Sequence, residues 1–240
     1  MGLRYAIRTL ARAPLYTVVA VAILAIGIGS NTAIFSVIDA VLLRPLPFPH
    51  ADRLVSCSTI GIKSREVYGT SYPDFIDWSA RSTSFDKLAA ARGITFNLSG
   101  PAGAQSLNGQ IVSPDFFEVF GVPPADGRTL ADSAHEQAVV ISRGLFARVF
   151  GSDRHWIGKS IALDGDSYVI AGVMPASFDF PNGAELWMSS SSNRPDNREE
   201  VASRGTRRFT VYGRLKTGVS VAQAQSEMDA IALHIDREFG

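Results

Sequence analysis

The chain has 240 residues, 46% of them hydrophobic and 19% charged, with 23 basic and 23 acidic side chains. That suffices for a packed core and roughly one or two domains. The first 44 residues hold Arg4, Arg8, Arg12 and Arg44 against Asp39 alone, so the remainder is weakly acidic and lacks the basic stripe of a nucleic-acid binder. One cysteine, Cys57, excludes an intrachain disulfide and a cysteine-based zinc cluster, and it reads as a small core residue in a strand-like run.

Residues 2–13 read as a short amphipathic helix. Arg4, Arg8 and Arg12 recur every four residues on one face, with Leu3, Ile7 and Leu10 on another. Such a helix suits an anionic membrane surface, and its arginines place the N-terminus in the cytoplasm. From Ala13 through Ile38 no residue is charged. That run exceeds the roughly 20 apolar residues needed to cross a hydrocarbon core. It predicts a transmembrane helix over 15–43. A cleaved signal peptide would also begin with basic residues and an apolar run. Here the apolar character resumes beyond Asn31 as Ala33, Ile34, Phe35, Val37 and Ile38, which favours an uncleaved anchor. Ala25, Gly29 and Ala33 form a stripe of small residues where another helix could approach closely. Asn31 and Ser36 coincide with it and want hydrogen-bond partners away from lipid.

Residues 44–50 are a proline-rich connector, with Pro45, Pro47 and Pro49. Beyond it, short strand-like and helix-like pieces alternate, predicting a mixed α+β domain over 51–240. Strands are expected at 54–60, 95–99, 106–112, 138–141, 160–163, 168–174, 185–188 and 208–215. Helices are expected at 72–81, 84–91, 115–120, 142–150 and 220–239. Asp164-Gly165-Asp166 signals a hairpin turn. Ser220 and Gln223 have capping-box spacing, and Ala224, Met228, Ile231 and Ile235 would line the buried face of the last helix. Residues 189–207 hold almost no large apolar side chains and read as a solvated loop.

The chemistry-bearing patterns are weak. Gly158-Lys159-Ser160 lacks the earlier glycine and the strand-to-helix order of a phosphate loop, and reads as a turn into a strand. Asp74, Asp77 and Asp86 read as carboxylates at a helix start facing solvent. His50, His135, His155 and His234 have no metal-ligand spacing. The aromatic set Phe75, Trp78, Phe85, Phe116, Phe117, Phe120, Phe146, Phe150 and Trp156 reads as core. The sequence thus presents no catalytic, cofactor-binding or metal site.

Gly27-Ile28-Gly29-Ser30-Asn31-Thr32-Ala33-Ile34-Phe35-Ser36-Val37, followed by Leu42-Leu43-Arg44-Pro45-Leu46-Pro47, resembles the first membrane helix of MacB/FtsX-type ABC transporter permeases. Similar too are Ser71-Tyr72-Pro73-Asp74-Phe75, Phe116-Phe117-Glu118-Val119-Phe120-Gly121-Val122, Tyr168-Val169-Ile170-Ala171-Gly172-Val173-Met174-Pro175 and Arg214-Leu215-Lys216-Thr217-Gly218-Val219-Ser220. The set runs nearly end to end and is most like the duplicated orphan permease branch.

The resemblance implies an inner-membrane, non-catalytic permease subunit. Its MacB-like periplasmic core domain, an α+β unit often in two lobes, would follow the first helix, with an inserted lobe here over about 105–205. ATP would be used by a separate cytoplasmic ABC ATPase, with no cofactor in this chain. Other permease helices or a second permease copy, and membrane lipid, are the further partners implied, and the role would be efflux or mechanotransmission. The sequence departs from the family in ending at Gly240 without further membrane helices, which reads as a fragment or as one part of a split permease. The alternative reading is a stand-alone membrane-anchored binding or adaptor module.

Overall fold

The computed structural model describes residues 14–38, 47–60, 66–100, 103–133, 137–181, 183–192 and 195–239. The expected amphipathic helix 2–13 with Arg4, Arg8 and Arg12, the connector before Pro47, and His135 lie outside the described residues. The chain forms two units, Met1–Leu46 and Pro47–Gly240.

The first unit contains α1, Pro14–Ile38, 25 residues with no acid in its first turn and no base in its last. Val18, Val21, Ile23, Leu24, Ile26, Ile28 and Phe35 are all more than half exposed. Among the residues described with their side chains, no helix is long and apolar enough to cross a membrane. Within α1 the side chains of residues 14, 16, 20, 34 and 36–38 are outside that description.

The second unit is a mixed α+β domain built on one nine-stranded sheet. Its strands are β1 (Leu54–Cys57), β4 (Phe85–Gly100), β5 (Gly103–Val112), β6 (Asp126–Gly127), β7 (Ala138–Ile141), β8 (Ser160–Leu163), β9 (Asp166–Val173), β10 (Leu186–Ser189) and β11 (Thr210–Leu215). A separate small pair joins β2 (Thr59–Ile60) and β3 (Val67–Tyr68). The helices are α2 (Tyr72–Arg81), α3 (Phe116–Phe120), α4 (Arg143–Phe150), α5 (Pro195–Ala202) and α6 (Val221–Phe239).

The 16-residue β4 organises the domain. Its first half pairs β11, which in turn pairs β1. Its second half pairs β5 over ten registered positions and, through Leu98 and Ser99, pairs β8. Because β8 also pairs β9, strand pairing runs in a closed circuit β4–β5–β10–β7–β9–β8 and back to β4. The β5–β10 and β7–β9 pairs are parallel. Closing the circuit removes edges within it and leaves β1 and β6 as the outer strands of the order.

Period-2 alternation sorts the strands between two apolar clusters. Leu88, Ala90, Phe96 and Leu98 of β4 join one, with Leu186 and Met188 of β10, while Ala89 and Ala91 join the other with Trp187. Helices α2, α4 and α6 add to the first cluster, and α3 with Phe48 to the second. At Gly109 of β5 the Phe96 ring lies 2.3 Å from where a Cβ would stand, so only glycine admits the ring.

Local signals explain most element ends. Ser71 and Ser142 cap α2 and α4, accepting from the Asp74 and Leu145 amides at 3.1 Å. Asp164 and Gly165 take φ of 51° and 93° in the β8–β9 hairpin. Ser220 and Gln223 form the reciprocal capping box, at 2.9 and 3.3 Å, and Ala224, Ile231 and Ile235 are buried as the spacing predicts.

Three expectations are corrected. Of the expected helix 84–91, residues 85–91 are strand, the first part of β4. Ala89, Ala90 and Ala91 are alanine because both faces of β4 are covered and leave little room, not because the segment is helical. Residues 189–207 are not simply a solvated loop. They contain α5, and Glu200 and Arg204 form ion pairs with the body of the domain. Trp156 is 39% exposed and only borders the core, its ring 5.0 Å from Phe150.

Candidate functional site

The side chains singled out for chemistry are dispersed by the fold. Gly158 turns at φ 82° into β8, as a turn rather than a phosphate cradle. His155 is exposed and hydrogen-bonds Asp153 at 2.8 Å. Among the described residues no group of three or more His, Cys, Asp or Glu is placed to hold a metal ion. A cavity of about 310 Å³ lies at the start of α4, beside Ser142, Arg143, Arg148 and Glu185. Its charges pair locally, Arg148 with Glu185 at 2.6 Å and Arg143 with Asp126 at 3.2 Å. Cys57 is half-buried, and burial pushes its thiol up to about 11.

Asp74 and Asp77 do not face solvent as expected. Arg204 bridges them, 2.6 Å from each, and its guanidinium lies 3.8 Å from the centre of the Phe239 ring. Burial lowers the Arg204 pKa, but Asp77 and Asp74 outweigh it and raise it overall. The pair is a structural tie rather than an acid–base couple.

What the fold does concentrate is a fastening around β11. A lead-in strap, Pro47–Arg53, delivers the chain to β1. Phe48 is buried against the rings of Phe120, Phe178 and Phe180, at centroid separations of 5.1–5.7 Å. Burying such a ring is worth roughly 1.5–3 kcal/mol. His50 then takes left-handed φ and ψ of 51° and 48°, turning the strap into the short 3-10 helix Ala51–Arg53.

Two arginines hold this turn from opposite sides. Arg214 of β11 donates through Nη1 to the Pro49 carbonyl at 2.9 Å and through Nε to the Val119 carbonyl at 2.8 Å. Arg53 of the strap donates through Nε to the Leu215 carbonyl at 2.7 Å and pairs with Asp86 of β4. Burial depresses the Arg214 pKa, and neighbouring Arg53 adds to that. The Arg214 Nη2 is buried with no hydrogen-bond partner among the described residues.

The last helix is fastened to the same block. Glu227 of α6 accepts from the Thr83 amide and hydroxyl at 2.6 Å and from the Ser84 amide at 2.9 Å, just before β4 begins. Burial pushes its carboxyl up, but the bonds from Ser84 and Thr83 outweigh this and hold it at about 2. Near the end of α6, Glu238 pairs with Arg81 of α2 at 2.9 Å.

None of Phe48, Arg214, Glu227 and Arg204 stands out from the sequence. The one available signal is Arg214 itself, an arginine inside the alternation of a strand and on the same face as Tyr212.

Of the residues expected to pack against other helices, Ala25, Gly29, Asn31 and Ala33 are exposed in α1, and the Ser36 side chain is outside the described residues. Asn31 Nδ2 donates to the Gly27 carbonyl of its own helix at 3.0 Å, so part of its hydrogen-bonding demand is met without a partner.

The fold of this chain is shared with known proteins. The profile of the MacB-like periplasmic core domain matches residues 17–231. No curated protein matches. Among solved structures, a domain of a protein described as a permease from Porphyromonas gingivalis is similar at 19% identity and a TM-score of 0.58, over 78% of this chain and 83% of that one. The periplasmic region of MacB from Actinobacillus actinomycetemcomitans is similar at 16% identity and 0.57, over 75% and 83%. The extracellular domain of the noncanonic ABC-type transporter YknZ from Gram-positive bacteria is similar at 15% identity and 0.55, over 77% and 94%.

Proposed function

Because the chain belongs to the MacB-like periplasmic core domain family, we propose that it acts as a membrane-anchored permease subunit, or part of one, in an ABC transporter and carries ATPase-driven movement into an exported domain. Helix α1 is the span. Its 25 residues would reach ~37 Å at 1.5 Å each, against a hydrocarbon core of ~30 Å. Arg4, Arg8 and Arg12 hold the N-terminus at the cytoplasmic surface, and the compact unit Pro47–Gly240 lies on the outer side of the inner membrane. A separate cytoplasmic ABC ATPase supplies the energy, other permease helices or a second copy pack on Ala25, Gly29 and Ala33, and this chain carries no cofactor and performs no catalysis. The motif set supports the duplicated orphan permease branch within the family.

The observation that carries this reading is the double fastening of the β1–β11–β4 block. Arg214 and Arg53 rivet the lead-in strap to it, and Glu227 rivets α6 to it. A strap held by two charged clamps and a buried ring moves with the sheet rather than independently of it. Movement delivered to the strap at Pro47–Arg53 would therefore be shared by β11 and β4, and mechanical work on a substrate or partner, in efflux or in mechanotransmission, would follow from that.

Cys57 tests the proposal. It lies on β1, four positions beyond Arg53, and its raised pKa keeps its thiol largely protonated and slow to react at neutral pH. In native membranes, maleimide labelling of Cys57 should change in rate during ATP turnover. An unchanged rate in membranes with active ATPase would overturn the reading.

A further inference from the structure

Helix α5 is held differently from its neighbours. Helix α2 buries Tyr72, Phe75 and Trp78. Helix α5, PDNREEVA, offers only Val201 as a large apolar side chain, and Val201 packs partly buried against the first apolar cluster. Charge does the rest. Glu200 Oε2 lies 2.7 Å from Arg92 Nε, and the side chains are 18% and 6% exposed. Arg208 reaches the other carboxylate oxygen at 3.2 Å. Four residues beyond Glu200, Arg204 makes the bridge to Asp74 and Asp77.

Beneath α5 the floor is polar and built. Arg92 rises from β4, its Cζ 5.9 Å from the centre of the Phe209 ring. Tyr72 stands on the same ring at 5.2 Å and shares a buried 2.7 Å hydrogen bond with Ser190. A guanidinium buried beside an aromatic ring is a receptor for a carboxylate, because desolvation strengthens the charge pair. Arg92 Nε and Glu200 Oε2 meet at 2.7 Å outside hydrogen-bond geometry, so charge rather than an oriented fork holds the present carboxylate. The carboxylate now there belongs to a short helix with little apolar burial of its own, so exchanging it for another forfeits little packing.

We propose that Glu200 occupies a carboxylate-binding site formed by Arg92, and that α5 is a displaceable cover whose place is taken by an acidic side chain of a protein partner. The proposal does not depend on how α1 is placed or on coupling to an ATPase. Displacement needs only the α5 segment to lift, since Arg92 stands on β4, Tyr72 on α2, and Phe209 in a backbone bridge to Thr70 just before β11.

The test uses the full chain in nanodiscs and a fluorescent tetraglutamate peptide as probe. Glu200→Ala should bind the peptide about tenfold more tightly than the unaltered chain, and Glu200→Ala with Arg92→Met should lose that gain. Equal affinity in the Glu200→Ala variant and the unaltered chain, or a gain that persists without Arg92, would overturn it. Because removing one partner of a buried pair is destabilising, a second measurement leaves the sequence intact. Hydrogen exchange of the 195–202 amides should accelerate as salt rises from about 0.05 to about 0.5 M, while β4 and β5 amides stay protected. Exchange of 195–202 only in step with β4 would also overturn it.

Discussion

The Arg214 guanidinium donates to the Pro49 carbonyl at 2.9 Å across 165 positions of sequence. It thereby joins the start of the domain to the strand that precedes its last helix. Replacing Arg214 by Met keeps the length of the side chain and deletes its donors. The Pro49 and Val119 carbonyls lose their bonds, at a cost of about 1–3 kcal/mol. Thermal unfolding should shift down accordingly, and limited proteolysis should begin within 47–53. Unchanged nicking would show that the strap is held elsewhere.

Glu227 gives the domain a specific acid sensitivity. Its folded pKa of about 2 lies below the ordinary carboxylate value of 4.5. Its contribution is therefore fully present above about pH 4.5 and is lost as pH falls from there toward 2. Glu227→Gln should lower stability at neutral pH, by roughly 1–3 kcal/mol before discounting for partial exposure. It should also flatten the stability–pH curve between those limits. Parallel curves for the two proteins in urea titrations at pH 3, 4 and 7 would remove Glu227 from this role.

At Gly109 the Phe96 ring leaves no room for a methyl group. Gly109→Ala should overpack the β4–β5 pair and cost about 1–3 kcal/mol. A midpoint shift in chemical denaturation, with the slope unchanged, is the expected readout.

Gly29 behaves oppositely. A Cβ built there meets nothing within 4 Å in this chain. Gly29→Ile should therefore leave the folded chain unaffected and weaken only its packing with other membrane helices. Co-purification of partner permease segments should fall while the melting temperature of the domain stays unchanged; equal recovery would remove the small-residue stripe from the interface.

What the sequence conveyed, and what it did not, follows from the range of the interactions. Ser142, Ser220 and Asp164-Gly165 act on neighbours within three residues, and each defines its cap or turn as read. The amphipathic face of α6 repeats locally and was equally plain. By contrast, Ala89, Ala90 and Ala91 are strand because β11 lies beside them, a partner more than 100 residues away that overrides helix propensity. The fastening side chains are of the same kind. Arg53 and Arg204 look like ordinary surface charges until the fold brings a carbonyl or a carboxylate to them, and Arg214 is set apart only by its place within a strand. The position of α5 depends on Glu200 meeting an arginine on a distant strand, which composition cannot report.

Protease added to intact spheroplasts tests most directly whether one helix anchors an exported domain. Digestion of Pro47–Gly240, leaving a membrane-protected fragment that contains α1, is the predicted result. A full-length chain that resists protease until the membrane is broken would contradict it.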